Sequence, residues 1–548
     1  MVHIQAERSK YPPLFGGVGF HNNEAMLYPI IEKEHFDQLL CKCYREISPG
    51  FMRTFGGYDD WTKESMDAFA EYYYRMQKWT DTPIYLAGAK GKLHFYDEDI
   101  WEYAQGVAKN LAYLKKEKGV NHLRYFCVSN EMSQGTWGDF MYDLPAFKKY
   151  HENLFRAFQK HGVDMGLLAT DASEYEHWDT MDWAIENMDR ITEDYCLHLY
   201  ERQHTIFDPD FYDFFREKCL EYVIKAIRND NKRLILGEIG MQKLYDGMPL
   251  SGNDAQLGYA RGVTIDVNRW FEDDYECRMY ALGITDMIFA AINAGVFAIA
   301  LWSYTDYPDP YSCAYAEKDE YARKWGMVEK FISGTTDTKY NKNGLFKWED
   351  NGDHSIRAFY WCLAPLMKLF KRNTKVLDFK LDNELLHCCG VLNRNGKVSI
   401  GIVNRTGEDT EITLDSSLFG NRNVRVYEYD PHNVPTNPFG DIQDHSAVLA
   451  PNAVTFTLKK DSVTFFTTDF EEKADPVVAD RVAISNGTLT WDEVGDPNHC
   501  YYRVYASEDR DFTPSRETQI ASTVATDLPI TDDRLFYKVL SVDIYGNV

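Results

Sequence analysis

From residue 14 to about 372, short apolar runs alternate with long segments whose apolar residues recur at helical spacing. The runs are "LFGGVGF" (14–20), "FMRTFGG" (51–57), "PIYLAGA" (83–89), "LRYFCVSN" (123–130), "GLLATDA" (166–172), "DYCLHLY" (194–200), "RLILGEIG" (233–240) and "VFAIALWSY" (296–304). Between them lie segments such as 97–119, 144–162 and 210–230, with Asp near the start and Gly or Asn past the end, the signals of helix termini. Strands alternating with helices pair in parallel through crossover helices. Eight such units in a row predict a closed (β/α)8 TIM barrel, an α/β fold. An open doubly wound sheet is the alternative. It would usually carry a glycine-rich nucleotide-binding turn, and "GGVGF" has the wrong spacing and lies inside a strand.

After residue 372 the period changes from helical spacing to two. "VSIGIVNRTGEDTEITLDSS", "NVRVYEYD" and "AVTFTLKKDSVTFFTTDF" read as strands separated by turn residues, predicting an all-β sandwich over 373–470. "EEKADP" (471–476) reads as a linker. The segment 471–548 resembles a fibronectin type III β-sandwich module. Trp491, the Tyr-Arg-Val-Tyr run at 502–505 and the Tyr-Gly-Asn near the end sit where that family has them, and a last strand is missing from the pattern. The expected domains are therefore 1–372, 373–470 and 471–548, with the chemistry in the first.

Composition narrows the function. Apolar residues make up 44% and aromatics 15%, enough for a large core and for rings that pack on sugar faces. The formal net charge of −26 argues against nucleic acid, against anionic polymers as substrates and against anionic membrane surfaces. The longest near-apolar run, 287–302, is too short to span a bilayer, and the first 15 residues carry no apolar leader core. Eleven cysteines, several in predicted buried strands and none in paired Cys-x-x-Cys motifs, read as reduced thiols. A cytoplasmic location follows, or secretion if a leader has been removed. The sequence leaves homo-oligomerisation open.

In a TIM barrel the C-terminal strand ends face the active-site mouth. The fourth predicted strand stops on Asn130-Glu131, and the seventh carries Glu238 after three apolar residues and a glycine. A carboxylate embedded in an apolar strand needs a partner or a task, because burying an unpaired charge is costly. Strands four and seven lie across the barrel, so two acids at their tops face one another. Such a pair suits glycosidic chemistry, one attacking the anomeric carbon and the other protonating the leaving oxygen. Other strand ends add Arg53, His198, Tyr200 and Trp302. His21 and Trp137, with Asn22, Asp59, Asp60, Trp61, Asp171, Glu174, Asp306 and Tyr307, read as pocket or rim residues. Segment 241–275 exceeds an ordinary loop and is expected to close over the pocket.

Together these strand ends resemble the retaining glycoside hydrolase clan A over residues 14–370. The appended sandwich is similar to that of its β-xylosidase and α-iduronidase families. The resemblance implies that Glu131 is the acid/base and Glu238 the nucleophile. It implies that Asn130 binds the sugar 2-hydroxyl, that Arg53 and Tyr200 set the nucleophile, and that His198 and Trp302 line the subsite. Ser129 and Met132 flank Asn-Glu where many members have Trp or Gly before and Pro after. The expectation is a retaining, metal-independent exo-glycosidase without cofactor, acting on a neutral carbohydrate. A transglycosidase and a non-catalytic carbohydrate-binding barrel are the alternatives. A metal-dependent barrel hydrolase would want His-x-His ending the first strand, where only His21 stands.

Overall fold

All eight apolar runs form strands, and each pairs in parallel with the next until the last returns to the first. The strands are β1 (Val2–Arg8), which lies outside this ring, and β2 (Gly17–His21), β3 (Phe51–Phe55), β4 (Ile84–Ala87), β5 (Leu123–Cys127), β6 (Gly166–Ser173), β7 (Asp194–Arg202), β8 (Leu234–Gln242) and β9 (Ala298–Leu301) within it. Pairing of Gly17 to Phe20 on β2 with Ala298 to Leu301 on β9 closes the barrel. This computed structural model describes residues 2–8, 14–22, 31–57, 59–77, 80–88, 99–132, 143–242, 275–308, 340–341, 344–347, 354–451, 455–472, 477–531 and 534–548.

The crossover helices form where the sequence places caps and an apolar face. Asp143 Oδ1 accepts from Ala146 N (3.0 Å) to start Leu144–His161, which ends at Gly162 with φ +62°. That helix buries Phe147, Tyr150, His151, Leu154, Ala157 and Phe158, the i, i+3, i+4, i+7 stripe that faces a sheet. Asp99 caps Ile100–Ala112 by accepting from Trp101 N (2.9 Å) and Glu102 N (3.2 Å). Each such cap contributes about 1 kcal/mol. Among the described residues no helix is long and apolar enough to cross a membrane, and Cys41, Cys43, Cys127, Cys196, Cys219, Cys362, Cys388, Cys389 and Cys500 are buried and free.

The sandwich that follows has strands from Lys375–Lys380 to Ser462–Thr467 around Leu386, Val398, Ile400, Ile402, Ile412, Val426 and Phe466. Residues 2–8 fell inside the span expected for the barrel, yet β1 belongs to this sandwich. Gln5 to Arg8 pair antiparallel with Lys380 to Leu377, and Val2 to Ile4 pair in parallel with Ile412 to Leu414. The strand thus bridges two edges of the sandwich and leaves neither exposed there. The C-terminal unit has one four-stranded and one three-stranded sheet. Trp491, Leu489, Tyr502, Val504, Leu528 and Val539 form the core between them. Val477–Val478 pairs beside the last strand, Phe536–Asp543.

The three units meet at buried charges. Lys42, on the barrel helix Cys41–Ile47, reaches Glu46 Oε2 at 2.7 Å and Asp441 Oδ1 at 2.5 Å. Asp441 comes from the sandwich and also accepts from Gln519 (2.8 Å) and Ser522 (3.0 Å) and pairs with Arg503 (3.2 Å), all three in the C-terminal unit. Burial alone would raise the Asp441 carboxyl. Lys42 and Arg503 overcome it and hold the group at about 2. Removing one partner from such a cluster leaves uncompensated buried charge. Asp441→Asn should cost about 3–5 kcal/mol in denaturant unfolding. Because the folded value lies below the ordinary 3.8, the wild type holds this contribution above about pH 4 and loses it as pH falls towards about 2. The variant should show a flatter acid limb of stability.

Candidate active site

At the barrel mouth the guanidinium of Arg53, on β3, is fully buried. Its Nη1 donates to His21 Nδ1 at 2.9 Å and contacts Glu238 Oε1. Its Nη2 donates to Asn130 Oδ1 at 2.5 Å and to Asp171 Oδ2 at 3.1 Å. Arginine has no acceptor, so His21 Nδ1 must carry a lone pair and that ring is the tautomer with its proton on Nε2. Four other strands or strand ends (β2, β5, β6 and β8) thus converge on one side chain of β3.

The two glutamates stand on either side of this cation and of His198. Glu238 is 3% exposed on β8 and accepts from Tyr200 Oη at Oε2 (2.7 Å). Glu131 follows β5 in the left-handed region, φ +49°, at 9% exposure. His198 Nδ1 lies 3.4 Å from Glu131 Oε1 and 3.9 Å from Glu238 Oε2, while Nε2 lies 3.2 Å from Asp171 Oδ1. One oxygen of each glutamate and His198 Nδ1 all lie within 4.8 Å of one another. The Trp302 ring packs on His21 (centroids 4.3 Å apart), and Phe55 packs on the same imidazole (4.6 Å).

The charges respond to this packing. Burial raises the Glu238 carboxyl above its ordinary value. Arg53 and His198 pull it down, Glu131 adds to the rise, and the Tyr200 hydroxyl bond opposes it. For His198 burial works downward, and the carboxylates of Asp171 and Glu238 overcome it, raising the imidazole to about 9. His198 is therefore an imidazolium at neutral pH. Asp171 is held well below the carboxylate range. Burial would raise it, and His198 and Arg53 prevail.

Of the sequence-predicted residues, Arg53, Asn130, Glu131, His198, Tyr200, Glu238, His21 and Trp302 come together here. Trp137 and segment 243–274 lie outside the described residues. Asp306 is not at the rim: it is fully buried, paired with Arg357 and accepting from Gly344 N at 2.8 Å. Trp61 packs on Phe69 (5.0 Å), and Asn22 bonds Tyr72 (2.9 Å). Two residues carry more than their pattern suggested. Asp171 is central rather than peripheral, and Tyr85, read as plain core on β4, donates to Asp171 Oδ2 at 2.5 Å. A fully buried tyrosine hydroxyl needs a partner, which was the available signal.

Two irregularities in the barrel create this arrangement. The β6–β7 register jumps between Thr170 and Ala172, so Asp171 is an extra residue, at φ +60°. The β7–β8 register jumps so that Leu197 pairs with Leu236 but His198 with Glu238, leaving Gly237 as the extra residue. Such bulges re-aim neighbouring side chains. Among the described residues two groups bring three donor atoms within 4.8 Å: Asp171, Cys196 and His198, and Glu131, His198 and Glu238. In both, a protonated His198 and the nearby Arg53 already supply the positive charge that a cation would bring.

No family model matches the chain, and no curated protein matches it. Solved structures do. The catalytic domain of GH30 xylanase C from Talaromyces cellulolyticus aligns over 85% of this chain and 99% of its own, at TM-score 0.54 and 12% identity. A glucosidase from Croceicoccus marinus aligns over 85% and 98%, at 0.53 and 11%. The GH51 arabinofuranosidase from Xanthomonas axonopodis pv. citri aligns over 85% and 99%, at 0.51 and 14%. The fold implied by the clan A resemblance is the fold present.

The bulge at Gly237 makes a direct prediction. A Cβ there would stand 2.4 Å from Cys196 Sγ and 2.9 Å from His198 Nε2. Gly237→Ala should destabilise by about 1–3 kcal/mol in denaturant unfolding. Combining it with Cys196→Ala should recover part of the loss, since the sulfur contact is the closer one. An additive double mutant would show that the predicted collision does not occur.

Proposed function

We propose that the protein is a retaining O-glycosidase that acts on a neutral oligosaccharide or small glycoside from the chain end, through a covalent glycosyl-enzyme intermediate. The observation that carries this reading is the glutamate pair, one oxygen of each within 4.8 Å of the other. Carboxyl groups about 5–5.5 Å apart suit retention, whereas inversion needs a wider gap for water. The fold shared with structures titled xylanase, glucosidase and arabinofuranosidase supports a carbohydrate substrate.

In this mechanism Glu238 attacks the anomeric carbon while Glu131 gives its proton to the leaving oxygen. Glu131 then takes a proton from water, which displaces the sugar from Glu238. Arg53 and Tyr200 each hold one oxygen of Glu238, which orients the carboxylate and favours its charged form. Asn130 offers its oxygen to Arg53, which turns the amide nitrogen towards a donor role on the sugar 2-hydroxyl. Trp302, braced by His21, supplies an apolar face for the ring. The formal charge of −26 favours a neutral substrate. A transglycosidase would share the first step and differ in what displaces the intermediate.

The test is a panel of nitrophenyl hexosides and pentosides, both anomers and both ring sizes, with wild type, Glu131→Ala and Glu238→Ala, with and without azide. Activity is expected on one or two sugars and lost in both variants. Azide should give a retained glycosyl azide with Glu131→Ala and an inverted one with Glu238→Ala. Undiminished turnover by Glu238→Ala would remove it as nucleophile. Internal cleavage of a polysaccharide without turnover of monosaccharide glycosides would replace chain-end action with endo-action.

The pH profile offers a further check. The nucleophile must be ionised, so kcat/KM falls as pH drops through the raised Glu238 value. Tyr200→Phe deletes a donor to the ionised form and should move this acid limb to higher pH. An acid limb that stays in place in the variant would mean that Tyr200 does not tune Glu238.

A further inference from the structure

We propose that Asp171 is the positioning residue of this centre, binding Arg53 and His198 at once and so fixing the two cations that touch Glu131 and Glu238. The inference rests on the glycosidase reading and deepens it by one shell.

Two hydrogen-bond donors and one imidazole at ion-pair distance converge on one fully buried carboxylate. Arg53 Nη2 lies 3.1 Å and Tyr85 Oη 2.5 Å from Oδ2, and His198 Nε2 lies 3.2 Å from Oδ1. Only a group with two acceptor oxygens and no proton can meet all three. An asparagine would turn an NH2 at one of the donors. Charge leads to the same residue. Arg53 and the His198 imidazolium both face the Asp171 carboxylate, in a volume where an unpaired charge is costly. The backbone is shaped for it, since Asp171 is the extra residue of the β6 bulge, at φ +60°.

The groups around the His198 ring come from every neighbouring element. They are Asp171 on β6, Glu131 after β5, Glu238 on β8, and Cys196 and Tyr200 on its own strand, with Arg53 and Tyr85 behind Asp171. Cys196 stays a neutral thiol, raised by burial and by the Asp171 charge. Of the carboxylates, Asp171 alone faces Nε2. It thereby keeps the proton on that nitrogen and directs the opposite N–H, on Nδ1, at the two glutamates.

The test uses the full chain with labelled histidines and follows the imidazole signals by NMR from pH 5 to 10 in wild type and Asp171→Asn. His198→Gln identifies the His198 signal among the 15 histidines. The expected wild-type midpoint is about 9, falling towards the ordinary value of 6.5 in Asp171→Asn. In the same variant kcat on the best glycoside of the panel should fall on the order of 10²-fold. A wild-type midpoint near 6.5 overturns the proposal even if the variant fails to fold. So does a variant with a lower Tm but an unmoved His198 midpoint, which is the signature of a merely structural role. The NMR arm needs no substrate. A panel without turnover therefore counts against the glycosidase reading, and the imidazole titration still decides whether Asp171 governs His198.

Discussion

A guanidinium cannot be buried in a barrel mouth unless acceptors surround it, and Arg53 organises the site for that reason. It has no proton to give up and no way to become neutral, so the protein must bring negative or lone-pair-bearing atoms to it. It does so from five places: His21, Asn130, Asp171, Glu238, and the face of Tyr85, whose ring centre lies 5.2 Å from the guanidinium carbon. Each of these is then held by the same contact that neutralises the arginine. Glu238 is oriented because Arg53 needs it, and Asn130 is oriented because Arg53 takes its oxygen. Function and burial impose one geometry.

The same logic recurs at the junction of the three units. Lys42, Asp441 and Arg503 come from the barrel, the sandwich and the C-terminal unit, and none of them is stable where it lies without the others. Around them, Lys368 Nζ donates to Glu46 O (2.7 Å) and Ile544 O (3.0 Å), and Arg425 donates to Tyr545 O (2.7 Å). The C-terminal unit is therefore fastened to the barrel rather than strung from it on a linker. One of its contacts, the Tyr501 ring 4.4 Å from Lys42 Nζ, falls on the helix Cys41–Ile47, which leads into β3 and so into Arg53.

The barrel was legible in the sequence because its two periods are strong and uninterrupted. Strands buried on both faces read as apolar runs, and capped helices with one apolar stripe read as crossovers. The site was legible where a charged residue broke an apolar run, as Arg53 and Glu238 do, or ended one, as Glu131 does. Asp171 was visible only as a strand-end aspartate among other rim residues. A bulge adds a residue without changing composition, so simple alternation cannot tell that Asp171 is aimed inward. Tyr85 was hidden because its ring satisfies an apolar pattern while its hydroxyl does the bonding. The seven residues of β1 were hidden for another reason, that pairing partners hundreds of residues away leave no local trace.

That last strand sets a schedule for the growing chain. Gln5 to Arg8 lie against Lys380 to Leu377, and Val2 to Ile4 against Ile412 to Leu414. About 370 to 410 residues must be made between the first partner and the second. At ribosomal rates of about 5–20 residues per second that is roughly 20 to 80 s. Through that interval β1 is a synthesised strand with no edge to join, while the barrel between its partners can already close. The sandwich is thus completed only when β1 and its much later partners meet around a finished barrel. This long-range closure is a step of high contact order, the kind that slows folding.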